Sequence, residues 1–121
     1  MKTILIADDS PTFLTLEKTF LREFPVQIVS AQDGLEALRL ARHDPPDLIL
    51  LDCEMPGMSG IECLRILRAD PRFLDIPIIL ISTVTDATFI NQAMSLGATD
   101  FLSKPINKQV LQARITKYMS R

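Results

Sequence analysis

Acidic side chains stand at the ends of two short apolar runs, where they can take part in cation binding. Asp8 and Asp9 follow the first run, and Asp52 ends the third, with Glu54 two residues further along. Converging carboxylates repel one another by about 4 kcal/mol per pair at roughly 4.5 Å and an effective dielectric constant of about 20. Oxygen ligands without histidine or cysteine suit a hard cation such as Mg²⁺. These residues therefore predict a magnesium site.

A hydroxyl group and an ammonium group follow two further apolar runs. Ser82 and Thr83 come after the fourth run, and Lys104 comes after the fifth. A metal, a lysine and a hydroxyl are what phosphoryl transfer requires, because positioned cations and donors must hold the charge of the transferring group. Each residue alone has a commoner explanation, such as a helix cap for an aspartate or a solvated surface charge for the lysine. Suitable groups at four strand ends together indicate a site.

The apolar runs alternate with longer amphipathic segments. Several runs are apolar at consecutive positions, which is typical of strands covered on both faces in a parallel sheet. This alternation predicts a doubly wound α/β domain of (βα)5 type, with helices on both faces of one open sheet. Ligands of such sheets bind beyond the carboxyl ends of the strands. The predicted strands are Ile4–Ala7, Val26–Val29, Asp47–Leu51, Ile78–Ile81 and Phe101–Leu102.

Helix boundaries are marked by capping residues. Ser10 with Pro11 opens the first helix, Asp33 the second and Ser59 the third, while Asp86 or Thr85 opens the fourth. Asn107 is predicted to cap the fifth helix, and Gly97 is predicted to end the fourth helix in the left-handed conformation. The predicted core-facing stripes are Phe13, Leu16, Phe20 and Phe24; Leu35, Leu38 and Ala41; Ile61, Leu64 and Leu67; Ile90, Ala93 and Met94; and Leu111, Ile115 and Tyr118.

Composition limits the class of protein. With 121 residues, 47% hydrophobic and 23% charged, the chain predicts one globular domain over residues 1–121. The net charge of −2 argues against nucleic-acid binding. No apolar run approaches the ~20 residues of a membrane span, and no signal peptide is present, so we expect a cytoplasmic protein. A single histidine, His43, argues against zinc and against a Ser-His-Asp triad.

Five segments resemble the receiver domain of two-component response regulators, and the chain is similar to the stand-alone chemotaxis receiver. The segments span 4–10, 46–52, 55–60, 77–82 and 97–105, in family order and at family spacing. The resemblance covers nearly the whole chain. It implies a flavodoxin-like fold with the strand order 2-1-3-4-5, for which the chemotaxis receiver is itself the standard example.

The resemblance implies a role for each matching residue of the acidic site. Asp52 would be the phosphoacceptor, and Lys104 would contact the phosphoryl group. Asp8, Asp9 and Asp52 would hold Mg²⁺ together with the backbone carbonyl of Glu54, and Mn²⁺ would be a substitute ion. The chain would act as a phosphoaccepting regulatory domain and not as an enzyme in its own right.

Switch residues are implied in the same way. Ser82, 30 residues after Asp52 and 22 before Lys104, matches the switch hydroxyl, and Phe101 matches the switch aromatic. Pro105 would follow a cis peptide bond. Phe101 lacks the hydroxyl of a tyrosine, so its switching would depend on ring packing alone.

Three positions resemble the family's tuners of phosphoryl lifetime. These are Glu54, Val84 and Thr83, and Thr83 stands where the family usually has alanine or glycine. Extra bulk at Thr83 would slow the access of phosphodonor or water, and a carboxylate at Glu54 would repel or help to place a water molecule.

The expected partners follow from the family. A sensor histidine kinase or phosphotransfer protein would phosphorylate Asp52, and the surface of the fourth helix, fifth strand and fifth helix would control a downstream target. No output domain is expected on this chain, which would be a monomer or weak dimer without nucleic-acid or membrane contacts. Two other functions stay open: a docking module independent of phosphorylation, and a small phosphohydrolase with Asp52 as nucleophile and Glu54 as acid.

Overall fold

Five parallel strands form one sheet in the order β2-β1-β3-β4-β5 in the computed structural model, which describes residues 1–120. This confirms the predicted fold class and strand order. Arg121, the last residue of the predicted domain, lies outside the described residues. Each predicted strand is present, extended by one or two residues at its ends or, for β3, shifted by one. The strands are β1 (Lys2–Ala7), β2 (Val26–Ala31), β3 (Leu48–Asp52), β4 (Ile78–Ser82) and β5 (Asp100–Ser103).

The five helices begin at the predicted capping residues. The side chains of Ser10, Asp33, Ser59, Asp86 and Asn107 each accept a hydrogen bond from a backbone N–H of the first turn. Among residues 1–120, no helix is long and apolar enough to cross a membrane. The helices are α1 (Pro11–Phe20), α2 (Gly34–His43), α3 (Gly60–Arg68), α4 (Ala87–Ser95) and α5 (Lys108–Met119), with a 3₁₀ turn at Pro71–Phe73.

Two hydrophobic clusters lie on opposite faces of the sheet. One contains buried side chains of α2, α3 and α4, and the other contains buried side chains of α1 and α5. Alternate strand residues enter opposite clusters, as Leu5 and Ile6 of β1 do. The central strands β3 and β4 are buried at every position, which explains their unbroken apolar runs. Cys53 fills space in the cluster beneath α2 and α3.

The buried face of α1 differs from the predicted one. Leu14 and Glu17 are the buried residues of the helix, whereas Phe13, Leu16 and Phe20 are only half-buried. The helix ends at Phe20, so Phe24 lies outside it. The prediction was wrong because the stripe that faces the sheet contains a glutamate. From its residue type alone, a glutamate at that position is predicted to face solvent.

Leu35 and Met94 were also assigned to the core, and both are exposed. Leu35 is 68% exposed and Met94 is 42% exposed. In α2 three of the four buried residues are small, namely Gly34, Ala37 and Ala41, and Gly34 lies so close to Met58 that a Cβ atom would approach its side chain to 2.9 Å. In α4 the buried position is the small residue Ala93. Close approach of these helices therefore selected small side chains over large ones.

Arg68 joins the end of α3 to the loops that precede β4 and β5. Its guanidinium donates hydrogen bonds to the carbonyl oxygens of Phe73, Ile76 and Gly97, the last two at 2.8 Å. Gly97 has the predicted left-handed conformation, with φ of 108°. This contact fixes the carboxyl-terminal end of α4 at the edge of the sheet opposite to the strand ends described next.

Candidate functional site

The carboxyl ends of four strands bring the predicted site residues together. Asp52 is the last residue of β3 and pairs with Ile81 of β4, and Ser82 ends β4 opposite Ser103 of β5. Asp8 follows β1 and Lys104 follows β5, and the peptide bond between Lys104 and Pro105 is cis, as expected. Adjacent parallel strands place these side chains at one edge of the sheet, as predicted.

Asp8, Asp52 and Lys104 form a charged centre at this edge. The Lys104 Nζ atom lies 3.0 Å from Asp8 Oδ2 and 3.1 Å from Asp52 Oδ2, and its side chain is only 7% exposed. Nζ also lies 4.3 Å from the centroid of the Phe13 ring, so the cation is held against an aromatic face. The second oxygen of each carboxylate accepts a backbone N–H bond, from Ser10 at 2.9 Å and from Glu54 at 3.2 Å.

Burial dominates the electrostatics of Asp52. Removal from water and the neighbouring charge of Asp8 raise its pKa to about 6, against the opposing influence of Lys104 and of the Glu54 N–H. The pKa of Lys104 is raised, because its contacts with Asp8 and Asp52 outweigh the cost of burying its charge. The single cation of Lys104 thus forms ion pairs with two carboxylates that are both poorly solvated.

The donor set fits a hard divalent cation. Carboxylate oxygens of Asp8, Asp9 and Asp52 lie within 4.8 Å of one another, and no nitrogen or sulfur ligand belongs to this group. Asp9 is exposed, so the group opens to solvent on one side. Apart from the Lys104 contacts, the Oδ2 atoms of Asp8 and Asp52 have no hydrogen-bond partner among the described residues. An oxygen cluster with spare acceptors suits Mg²⁺.

Glu54 makes contacts that the sequence did not reveal. It is exposed, but its Oε2 atom accepts the Ser82 hydroxyl at 2.5 Å. Its Oε1 atom accepts both the Thr83 backbone N–H and the Thr83 hydroxyl, each at 2.9 Å. Partial burial works to raise the pKa of Glu54, but these hydrogen bonds outweigh it and lower that pKa. We refer to Glu54, Ser82 and Thr83 as the Glu54 clamp.

The clamp fixes the start of the loop between β4 and α4. Ser82 is buried, and its Oγ atom also accepts the Val84 N–H at 2.9 Å. Its hydroxyl therefore points to Glu54 and not to Asp52. Phe101, in β5, is half-buried and packs edge-on against Phe89 of α4, with 6.1 Å between ring centroids. Phe101 is thus in contact with the helix that follows the clamped loop.

Glu17 is a residue near the site that sequence reasoning missed. Its side chain is 1% exposed, and Oε2 has no hydrogen-bond partner among the described residues. Burial, together with the negative charges of Asp8 and Asp52 and despite Lys104, raises its pKa to about 8. Its helical spacing from Leu14 and Leu21, which are both buried, was the available signal.

Gly60 determines how closely α3 approaches the end of β3. A Cβ atom at this position would lie 2.3 Å from the carbonyl oxygen of Asp52 and 2.8 Å from the Cα atom of Cys53. The Gly60 N–H donates to the Cys53 carbonyl at 3.0 Å. The first turn of α3 therefore packs directly on the backbone that carries Asp52.

The residues that form this arrangement of carboxylates, lysine and strand-end hydroxyl lie within a region that is similar in sequence to a known protein family. A model of the response regulator receiver domain matches residues 4–116. The chain therefore belongs to the family of response regulator receiver domains, which are regulatory domains of two-component systems and not catalytic enzymes. Members of this family work with histidine kinases and output domains.

Curated relatives differ in how much of their length the chain covers. Protein PilH of Pseudomonas aeruginosa is 33% identical over 120 residues, which span 99% of each protein. The transcriptional regulatory protein KdpE of Mycobacterium tuberculosis is 36% identical over 121 residues, 100% of this chain but 52% of KdpE. The chain thus spans nearly all of one relative and about half of another.

Solved structures of receiver domains and response regulators are also similar to this chain. The chemotaxis response regulator CheY4 of Vibrio cholerae has a TM-score of 0.91 at 29% identity, with 98% of each chain covered. The receiver domain of sensor histidine kinase PA1611 of Pseudomonas aeruginosa has a TM-score of 0.89 at 27% identity, over 99% of this chain and 98% of that one. That domain holds a magnesium ion coordinated in its active site cleft.

Proposed function

We propose that this domain is a phosphoryl-accepting switch in which Asp52 is the phosphoacceptor. The proposal is carried by the charged centre, where Lys104 contacts the Asp52 carboxylate at the carboxyl end of the sheet. A lysine beside a buried carboxylate and an all-oxygen cation cluster is the set of groups that phosphoryl transfer uses. The donor would be a phosphohistidine of a sensor histidine kinase or a phosphotransfer protein.

In the proposed reaction, an Oδ atom of Asp52 attacks the phosphorus atom of the phosphohistidine. The new P–O bond forms as the P–N bond breaks, and the imidazole nitrogen takes the electron pair of the broken bond. The product is an acyl phosphate on Asp52. Because its pKa is about 6, Asp52 is mainly the reactive carboxylate at pH 7 and above. Lys104 would hold the charge of the transferring group.

Metal binding belongs to the same proposal. Asp8, Asp9 and Asp52 would hold Mg²⁺ through their carboxylates, with the backbone carbonyl of Glu54 as a further ligand and Mn²⁺ as a substitute ion. When bound, the cation supplies positive charge beside the transferring group. The support is the grouping of carboxylate oxygens within 4.8 Å.

The proposed response to phosphorylation is a shift between two packings of one edge of the domain. A phosphoryl group brings close to two negative charges and three acceptor oxygens. Ser82 would donate to it, its loop would move, and Phe101 would turn inward. The surface made by α4, β5 and α5 would then present a different face to a downstream target. A few kcal/mol of differential interaction is sufficient for such a shift.

The lifetime of the acyl phosphate is proposed to depend on Glu54, Thr83 and Val84. All three are exposed around the mouth of the site. The phosphotransfer itself is proposed to take place in the cytoplasm, with residues 1–121 acting as one receiver unit that is a monomer or a weak dimer.

Incubation with acetyl phosphate and Mg²⁺, followed by intact-mass measurement, tests the proposal. We expect the native chain to gain one phosphoryl group. This gain should not occur when Mg²⁺ is omitted from the incubation, nor in Asp52→Asn. Glu62→Gln is the control, because it removes an exposed carboxylate of α3 that lies outside the charged centre. No gain in the native chain, or an equal gain in Asp52→Asn, would falsify the assignment. A partner that binds equally with and without beryllofluoride would instead favour a docking module independent of phosphorylation.

A further inference from the structure

We infer that the Glu54 carboxylate is an internal competitor of the phosphoryl group, because it occupies the Ser82 and Thr83 donors until it is displaced. This inference rests on the proposed function of Asp52 and adds a regulatory step to it. Glu54 is a positioning residue here, since it acts by holding the switch hydroxyl in one place.

The evidence is the geometry of the Glu54 clamp. Glu54 lies just after β3, and its two carboxylate oxygens accept three hydrogen bonds from Ser82 at the end of β4 and from Thr83 directly after it. These residues are 28 and 29 positions away in the chain, so the contact is not imposed by local sequence. The shortest bond, 2.5 Å, involves the Ser82 hydroxyl. Short bonds to a charged acceptor are the stronger class of hydrogen bond.

Competition follows from the number of protons on each donor. A serine hydroxyl has one proton, and a backbone amide has one. Ser82 already donates its proton to Glu54, and the Thr83 N–H donates to the same carboxylate. A phosphoryl group on Asp52 that is to be bound by Ser82 therefore has to replace Glu54 as the acceptor. Two anions cannot share these donors.

Charge repulsion acts in the same direction. A phosphoryl group carries about −1.5 to −2 charges at pH 7, and it would arrive two residues from the Glu54 carboxylate. Glu54 is exposed, so it can turn into solvent without leaving a buried charge behind. Displacement therefore costs the three clamp bonds and little else. The carboxylate holds the loop in the unmodified domain, and the phosphoryl group takes over the same donors.

Titration with beryllofluoride in the presence of Mg²⁺ tests the inference. Binding is followed by the backbone amide resonances of Thr83 and Val84, in the native chain and in two variants, Glu54→Ala and Glu54→Gln. Both variants keep the backbone carbonyl of Glu54. We expect Glu54→Ala to bind about tenfold more tightly than the native chain. Glu54→Gln should be intermediate, because its amide oxygen keeps an acceptor but has no charge.

Two controls separate the clamp from general effects. Glu62→Gln changes the net charge by the same amount at an exposed position of α3 and should stay within twofold of the native affinity. Thr83→Val removes one clamp bond and should tighten binding two- to threefold. Combined with Glu54→Ala it should give no further gain, because the bond it removes is already lost.

Each outcome decides something. Equal affinities of the native chain and Glu54→Ala, with binding intact, would overturn the inference and leave the proposed function standing. Weaker binding by Glu54→Ala would also overturn it, since Glu54 would then support the loop for phosphoryl binding. If neither the native chain nor any variant binds beryllofluoride while their amide spectra are those of folded domains, the proposed function fails and the inference fails with it.

Discussion

Two carboxylate sites lie side by side at the carboxyl edge of the sheet, and they are built in opposite ways. In the charged centre, Asp8 and Asp52 are almost completely buried, and both depend on the single cation of Lys104. In the Glu54 clamp, an exposed carboxylate is held by three neutral donors. The charged centre has two carboxylates and one cation in a poorly solvated position. The Glu54 clamp has one carboxylate and three hydrogen-bond donors.

Because of this difference, we expect substitutions at the two sites to alter different properties, namely the stability of the fold and the position of the loop after β4. A buried charge that loses its partner cannot be rescued by water, so substitutions in the charged centre act on folding. An exposed carboxylate that loses its donors is solvated at once, so substitutions in the clamp act mainly on the position of the loop. The following predictions test this division, in order of decreasing effect on the free energy of unfolding.

Lys104→Met is the largest expected change. Without the ammonium group, Asp8 and Asp52 face each other with no cation among the side chains that contact them here. We expect the free energy of unfolding to fall by about 3 kcal/mol at pH 7.5, measured by urea denaturation without divalent ions. Addition of Mg²⁺ should restore more stability in this variant than in the native chain. A loss below about 1 kcal/mol would show that the charged centre is solvated as well as the clamp is.

Glu17 should make stability depend on pH. Its pKa is about 8 in the folded chain, against an ordinary glutamate value of 4.5, so the folded chain holds an extra proton between these values. Stability therefore falls as pH rises through this window and stops falling above about 8. The limiting slope is about 1.4 kcal/mol per pH unit. Between pH 6 and 8 we expect a loss of roughly 2 kcal/mol.

Glu17→Gln should flatten that slope, since the amide does not titrate. Asp52 contributes a slope of the same sign that disappears above its pKa of about 6, so measurements above about pH 7 isolate Glu17. Glu62→Gln serves as the control and should leave the slope as it is. Parallel pH profiles of the native chain and Glu17→Gln would contradict the assignment of this proton to Glu17.

Glu54→Gln is the smallest expected change in stability. Because the carboxylate is exposed, the net worth of its hydrogen bonds is reduced by solvent, and we expect a loss of less than about 1 kcal/mol. Thermal unfolding of Glu54→Gln beside the native chain measures it. A loss comparable with that of Lys104→Met would mean that the clamp holds the fold and not only the loop.

Much of the fold was predictable because its signals are local. Strand runs that are apolar at every position, and caps such as Ser10 and Asn107, act within a few residues of where they are read. The convergence of Asp8, Asp52, Ser82 and Lys104 at one edge also followed, because parallel strands must point their carboxyl ends the same way.

What the sequence did not reveal depends on packing between distant segments. The predicted buried face of α1 was wrong because Glu17 is buried, which its residue type does not indicate. The assignment of Leu35 to the core was wrong, because α2 approaches Met58 closely and therefore has small residues such as Gly34 on its buried face. The contact of Glu54 with Ser82 joins two strand ends, and no spacing rule predicts which way an exposed side chain turns.

The contact of Gly60 with the backbone of Asp52 limits how such a domain can be altered. There is no room for even a methyl group between the start of α3 and the end of β3. The connection between β3 and α3 therefore has little freedom, and an inserted or deleted residue there would shift the backbone of Asp52. Variation at this edge of the sheet is therefore confined to side chains that point away from this contact, such as that of the exposed Glu54, which can be substituted without moving the backbone.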